Sequence, residues 1–270
     1  MHPDQDPPRT GFELRWRMLG VGVRVFPSFF FITALIVGIV VYMQMIKPAN
    51  LLDLAIIVAI DVACVFVAIL FIGMVQGWVY RSYGIRSTVV VRELVGGISP
   101  EALPPTALQR IVVALAYPAS SFLLFAIVYY SNLEYDWKST SVIAQMTYFI
   151  LSAISLFWGV IGLLPIYPYS GGRVMLEVFQ FISPGYGLMG TLLVSILVGM
   201  AYVAYTAAVY FRHMKEVIVE GVPLPAAPIV AIFFALSVMQ NWQLFQIVRA
   251  QGRPTSAYDE HDDDRRPWGR

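Results

Sequence analysis

The stretch GLLPIYPYSGGRVML, residues 162–176, holds the first side chain that could do chemistry: Ser170, set between two prolines and a Gly-Gly pair. A nucleophilic serine needs a strained strand-to-helix elbow of the G-x-S-x-G kind and a histidine to take its proton. YSGG lacks that pattern, and His2, His213 and His261 all lie outside the middle of the apolar segments. His213, beside Arg212 and near Lys215, reads as a surface residue. Tyr167 and Tyr169 read as interfacial anchors rather than catalysts. Cys64 is the only cysteine, which excludes an intrachain disulfide and a cysteine-ligated metal site.

Two more polar groups, Asp61 and Gln76, sit in the apolar run 54–80. An ionised carboxylate at mid-membrane costs about 2.5–3.5 kcal/mol on insertion scales, so Asp61 is a functional candidate unless water or a neighbouring hydroxyl satisfies it. On a helix the two residues are about 60° apart and share a broad face, but they are about 20 Å apart along the axis, too far for one site. Gln76 lies in GMVQG, where Gly73 and Gly77 form a small-xxx-small pattern that lets backbones approach. That pattern suits a closed, packed seam; a surviving cavity that accepts a client segment is the alternative.

The elements that must position these groups are membrane helices. The 270 residues are 58% hydrophobic and 13% charged, against about 25% charged in soluble domains. A net charge of +1 gives no hint of nucleic-acid binding. Six segments reach the roughly 20 apolar residues a span needs: 26–46, 54–80, 111–130, 142–165, 186–211 and 226–248. The first is read as a retained span, being longer than a signal-peptide core and lacking a small-residue cleavage site. Fourteen lysines and arginines fall on one side and four on the other, which predicts both termini in the cytoplasm. ELRWRMLGVGVRV and STVVVREL predict short strands near residues 12–25 and 86–95. Tails 1–11 and 249–270 are polar and predicted to be disordered around one membrane domain, 12–248. No internal repeat is visible.

Five stretches in order resemble the site-2 protease family of intramembrane zinc metalloproteases. GVRVFPSFF is similar to its lead-in to the first span, and WVYRSYGIRSTVVVRELVGG to the stretch after its catalytic helix. LAYPASSF resembles its A-G-P-x-x-N segment, GLLPIYPYSGGRVM its N-x-x-P-x-P-x-x-D-G-G motif, and MQNWQLFQ its closing helix. The resemblance implies an all-α polytopic membrane fold with six helices, in a bacterial-type inner or plasma membrane. It also implies where the zinc chemistry would sit. Anchored on Tyr83-Gly84, the H-E-x-x-H positions carry Ile72 and Gln76 for the histidines and Gly73 for the glutamate base. Ser170 replaces the aspartate ligand, Ser121 the asparagine of the middle motif and Gly162 the asparagine of the last. A catalytic zinc needs three protein ligands and an open water position, so the expectation is no zinc, no other cofactor and no catalytic residue. The expected role is a catalytically inactive, protease-like protein that binds or regulates a transmembrane partner. Candidate client-binding or intramembrane polar residues are Asp61, Gln76, Ser170, Gly171 and Gly172. The alternatives are an active metalloprotease with a non-standard site and a small transporter or channel using Asp61.

Overall fold

A computed structural model describes residues 13–43, 51–92, 95–136, 141–212, 218–219, 222–223 and 228–250. Both tails expected to be disordered therefore lie almost wholly outside the described residues, as does His213. The chain forms two compact units, Met1–Ile161 and Gly162–Arg270.

The first unit opens with a hairpin, β1 (Leu14–Met18) and β2 (Val21–Val25). Its two turn residues, Leu19 and Gly20, both have positive φ, as the tightest hairpin connection requires. Helices α1 (Pro27–Met43) and α2 (Leu51–Ser82) follow, then β3 (Ser87–Arg92) and β4 (Val95–Pro100). The four strands make one sheet in the order β1-β2-β3-β4, with β2 parallel to β3 and the other pairs antiparallel. The predicted strands are thus present, and helices α1 and α2 make the long crossover that a parallel pair needs. Alternation turns Val21, Val23 and Val25 to the same face as Val89 and Val91, and all five are buried against Val65, Ile69 and Met74 of α2. Arg81, in the last turn of α2, donates to the Leu19 carbonyl at 3.0 Å and ties the hairpin turn to the helix.

Helix α3 (Ala107–Tyr135) starts at a capping box in which Thr106 and Gln109 satisfy each other's backbone N–H. Helix α4 (Val142–Leu163) closes the unit, and Leu124 and Val128 of α3 meet Ala68 of α2 beside Tyr148 and Leu151 of α4.

The second unit contains α5 (Ser170–Ile182), α6 (Gly187–Arg212), a two-stranded ribbon of β5 (Ile218–Val219) and β6 (Val222–Pro223), and α7 (Pro228–Ala250). Helices α6 and α7 pack along each other, and α5 packs on α6 through Leu176, Leu188 and Leu192.

Among the described residues, five helices are long and apolar enough to cross a bilayer: α2, α3, α4, α6 and α7. The protein is a multi-pass integral membrane protein. The sixth expected span, α1, is helical over 17 described residues, about 26 Å at 1.5 Å per residue, and its expected end at 46 lies outside them. The segment between the spans expected at 142–165 and 186–211 contains α5.

The glycine seam also differs from expectation. The nearest atoms around Gly73 and Gly77 belong to strand residues. A Cβ on Gly73 would come within 2.6 Å of a Val89 methyl, and one on Gly77 within 2.8 Å of a Val21 methyl. The small residues let strand side chains, not a helix backbone, seat against α2. Gly73→Leu should therefore lower the thermal unfolding midpoint in detergent, at about 1–3 kcal/mol for an overpacked core. Adding Val89→Ala should recover part of the loss because the two share one space. An unchanged midpoint in the single variant would contradict this packing.

Candidate functional site

The positions where the resemblance puts zinc chemistry fall in both units, and each unit is described by itself. In the first, Ile72, Gly73 and Gln76 lie on an unbroken α2. Ile72 is buried, and Gly73 is covered by Val89. Gln76, also buried, donates its amide N–H to the Val113 carbonyl of α3 at 3.1 Å. Val113 lies five residues before Pro118 of α3, whose missing N–H withdraws the helical donor from the neighbouring Ala114 carbonyl. Ser120 and Ser121 fold back on the Tyr117 carbonyl at 2.8 and 3.1 Å. Ser121 is fully buried. Its hydroxyl is engaged inside α3.

This donor set does not fit a catalytic zinc. An aliphatic side chain has no lone pair, glycine has no side chain, and a carboxamide offers only a weak, neutral oxygen donor. Among the described residues, no three histidine, cysteine, aspartate or glutamate side chains are grouped to hold a metal.

In the second unit the Pro-rich break spans 164–169, between α4 and α5, and Ser170 is the first residue of α5. Gly162 precedes the break and is buried. The break's backbone is satisfied by other backbone groups, as in Tyr169 N–H to the Ile166 carbonyl at 2.9 Å, and by side chains. Tyr167 N–H donates to Ser195 Oγ at 2.9 Å, and its carbonyl accepts from Asn241 Nδ2 at 2.7 Å. Arg173 Nε donates to the Pro168 carbonyl at 3.0 Å. The Tyr167–Pro168 peptide is cis. Gly171 and Gly172 bring the start of α5 onto this backbone: a Cβ on Gly171 would strike the carbonyls of Leu163 and Leu164, and one on Gly172 the Ile166–Tyr167 peptide. Only glycine fits either position.

Tyr169 is not the interfacial anchor expected of it. Its hydroxyl is 3.1 Å from Ser237 Oγ of α7, and its ring stacks on Phe233 at 5.6 Å between centroids. Sequence reasoning also missed Ser195, Ser237, Asn241 and Arg173. Asn241 carried the clearest signal, as a carboxamide within an apolar span.

Asp61 stands apart. It is 9% exposed, and its Oδ1 is buried with no hydrogen-bond partner among the described residues. Cys64, one turn along α2, is bonded to Thr147 of α4.

No protein-family model matches the sequence, and no curated protein matches it. Among solved structures, the chain is similar to the site-2 protease from Methanocaldococcus jannaschii. The TM-score is 0.54 with 15% identity, covering 86% of this chain and 94% of that one. At that identity the likeness is one of fold, and it bears out the expected site-2 protease type of polytopic helical architecture.

The geometry of the break makes Asn241 its critical side chain. Asn241→Leu should remove the bond that ties the Tyr167 carbonyl to α7, costing about 1–3 kcal/mol of stability. It should also speed amide exchange across 164–170 more than elsewhere in the chain. A uniform change in exchange, or none, would contradict the clamp.

Proposed function

We propose that this chain is a site-2-protease-like membrane protein without proteolytic activity, whose scaffold binds a transmembrane or membrane-proximal partner and regulates or shelters it. The observation that carries this reading is Gln76. Where the family's resemblance calls for a zinc-binding histidine, the side chain is an amide bonded to Val113 of α3, one turn from a glycine covered by Val89. Catalysis of the family's kind requires an open, metal-bound water that loses its proton near neutral pH, and neither ligands nor base stand at those positions. The partner-binding role draws support from the intact break, which is built as scaffold while Ser170 stands where an aspartate ligand would be. On this reading the protein carries no zinc or other cofactor, and the excess of arginine and lysine on one side puts both termini in the cytoplasm.

Purified full-length protein should contain no stoichiometric zinc and should not cleave transmembrane substrates in detergent or vesicles. Zinc at one per chain together with cleavage would overturn the reading in favour of a metalloprotease with a non-standard site. Mild detergent extraction should retain a membrane protein that co-purifies at fixed ratio, and repeated recovery of the bare chain would remove the partner-binding half of the proposal.

One observation favours a second reading, a small transporter or channel using Asp61: its buried, unpartnered Oδ1 on a membrane span. That reading requires Asp61→Asn to abolish a measurable ion or proton flux in vesicles, and equal flux in both proteins would end it.

A further inference from the structure

We infer that α5 is an interfacial helix whose exposed face is seated in lipid, anchoring the end of the Pro-rich break to the bilayer surface. The helix has its polarity reversed relative to a water-facing one. Val178, Phe181 and Ile182 are 43%, 89% and 69% exposed. With Val174 they fall within an arc of about 100°. The two charged residues of α5 are elsewhere: Glu177 is 4% exposed, and Arg173 reaches back to the Pro168 carbonyl. Gln180 likewise turns its Nε2 into the protein. A helix bathed in water would not turn its charges inward and a phenylalanine out, since burying such a side chain is worth about 1.5–3 kcal/mol.

The occupant of this face follows from continuity. Residues 183–186 lead from α5 straight into α6, a membrane span whose exposed Leu193, Leu197 and Met200 share one lipid-facing stripe. Exposed Tyr186 marks the junction, and tyrosine is enriched at the membrane–water boundary. The 13 residues of α5 are about 20 Å long, short of the roughly 30 Å of hydrocarbon, so α5 cannot itself be a span. A short apolar-faced helix between two spans lies in the interface plane, its face sunk about 5–10 Å at the headgroup–acyl boundary. Because that face has no charge, neutral lipid suffices. Through Arg173, Gly171 and Gly172 the same helix is fastened to the break, so the lipid contact fixes where the break ends. This inference stands whether or not the protein cleaves anything.

The test is nitroxide labelling of Val178→Cys, Phe181→Cys and Ile182→Cys, one at a time, in a full-length Cys64→Ala background in phosphatidylcholine vesicles. Should that background fail to fold, the native chain serves, because Cys64 is buried. Collisions with oxygen, which partitions into lipid, are compared with collisions with a water-soluble nickel chelate, using Glu101→Cys at an exposed loop as reference. The oxygen-to-nickel ratio should be several-fold higher at all three positions than at 101, and unchanged when anionic lipid is added. Ratios equal to the reference would make α5 water-facing and overturn the inference. Shielding from both probes would assign the face to protein contact and overturn it equally.

Discussion

Backbone that is not helical inside a bilayer must find its hydrogen-bond partners within the protein, because hydrocarbon offers none. The second unit is arranged around that requirement. One residue of the break, Tyr167, is held at its N–H by Ser195 of α6 and at its carbonyl by Asn241 of α7. The clamp works only if α6 and α7 run side by side at that level, as they do. Gly171 and Gly172 then allow α5 to start directly against the same backbone. The break, the pairing of α6 with α7 and the placement of α5 are one solution to one desolvation problem.

The first unit meets the same requirement differently. Its irregular-looking stretch near the N-terminus pairs its own backbone as a sheet, and only side-chain packing remains to be solved. The valine face of β2 and β3 is pressed onto α2, with glycines supplying the room. Deeper in the helix pair, Gln76 binds α2 to the Val113 carbonyl of α3. Glycines therefore do two different jobs in this protein. At 73 and 77 they admit side chains, and at 171 and 172 they admit backbone.

Much of this architecture was legible in the sequence, and the reasons for the gaps are physical. Long apolar runs identify spans because length and hydropathy are local properties, and alternating β-branched residues identified the strands for the same reason. The parallel pairing of β2 with β3 is not local, since α1 and α2 separate the two strands. Helix α5 was missed because it is short, carries Arg173 and Glu177, and follows prolines and glycines that read as loop. The glycine pattern at 73 and 77 was recognised, but a spacing of four says only that something comes close. Whether that something is a helix or a strand depends on the tertiary fold. Asn241 was quoted within a resemblance and passed over, although a carboxamide inside an apolar helix is a polar group in want of a partner.

The polar residues of α2 sharpen what this helix can still do. A side chain that is to hold a metal or meet a client must keep a lone pair or a donor uncommitted, and a buried polar group that is already paired has exchanged that freedom for rigidity. Gln76 has committed its amide N–H to Val113, and Gly73 has no side chain to offer. Asp61, on the same helix, has not: its Oδ1 is buried without a hydrogen bond among the described residues. Leaving such an acceptor unpaired is unfavourable by about 1–3 kcal/mol, and packing gains nothing from it that asparagine or alanine would not supply. On α2, the buried polar atom without a hydrogen bond among the described residues is Asp61 Oδ1, about 20 Å along the axis from Gln76.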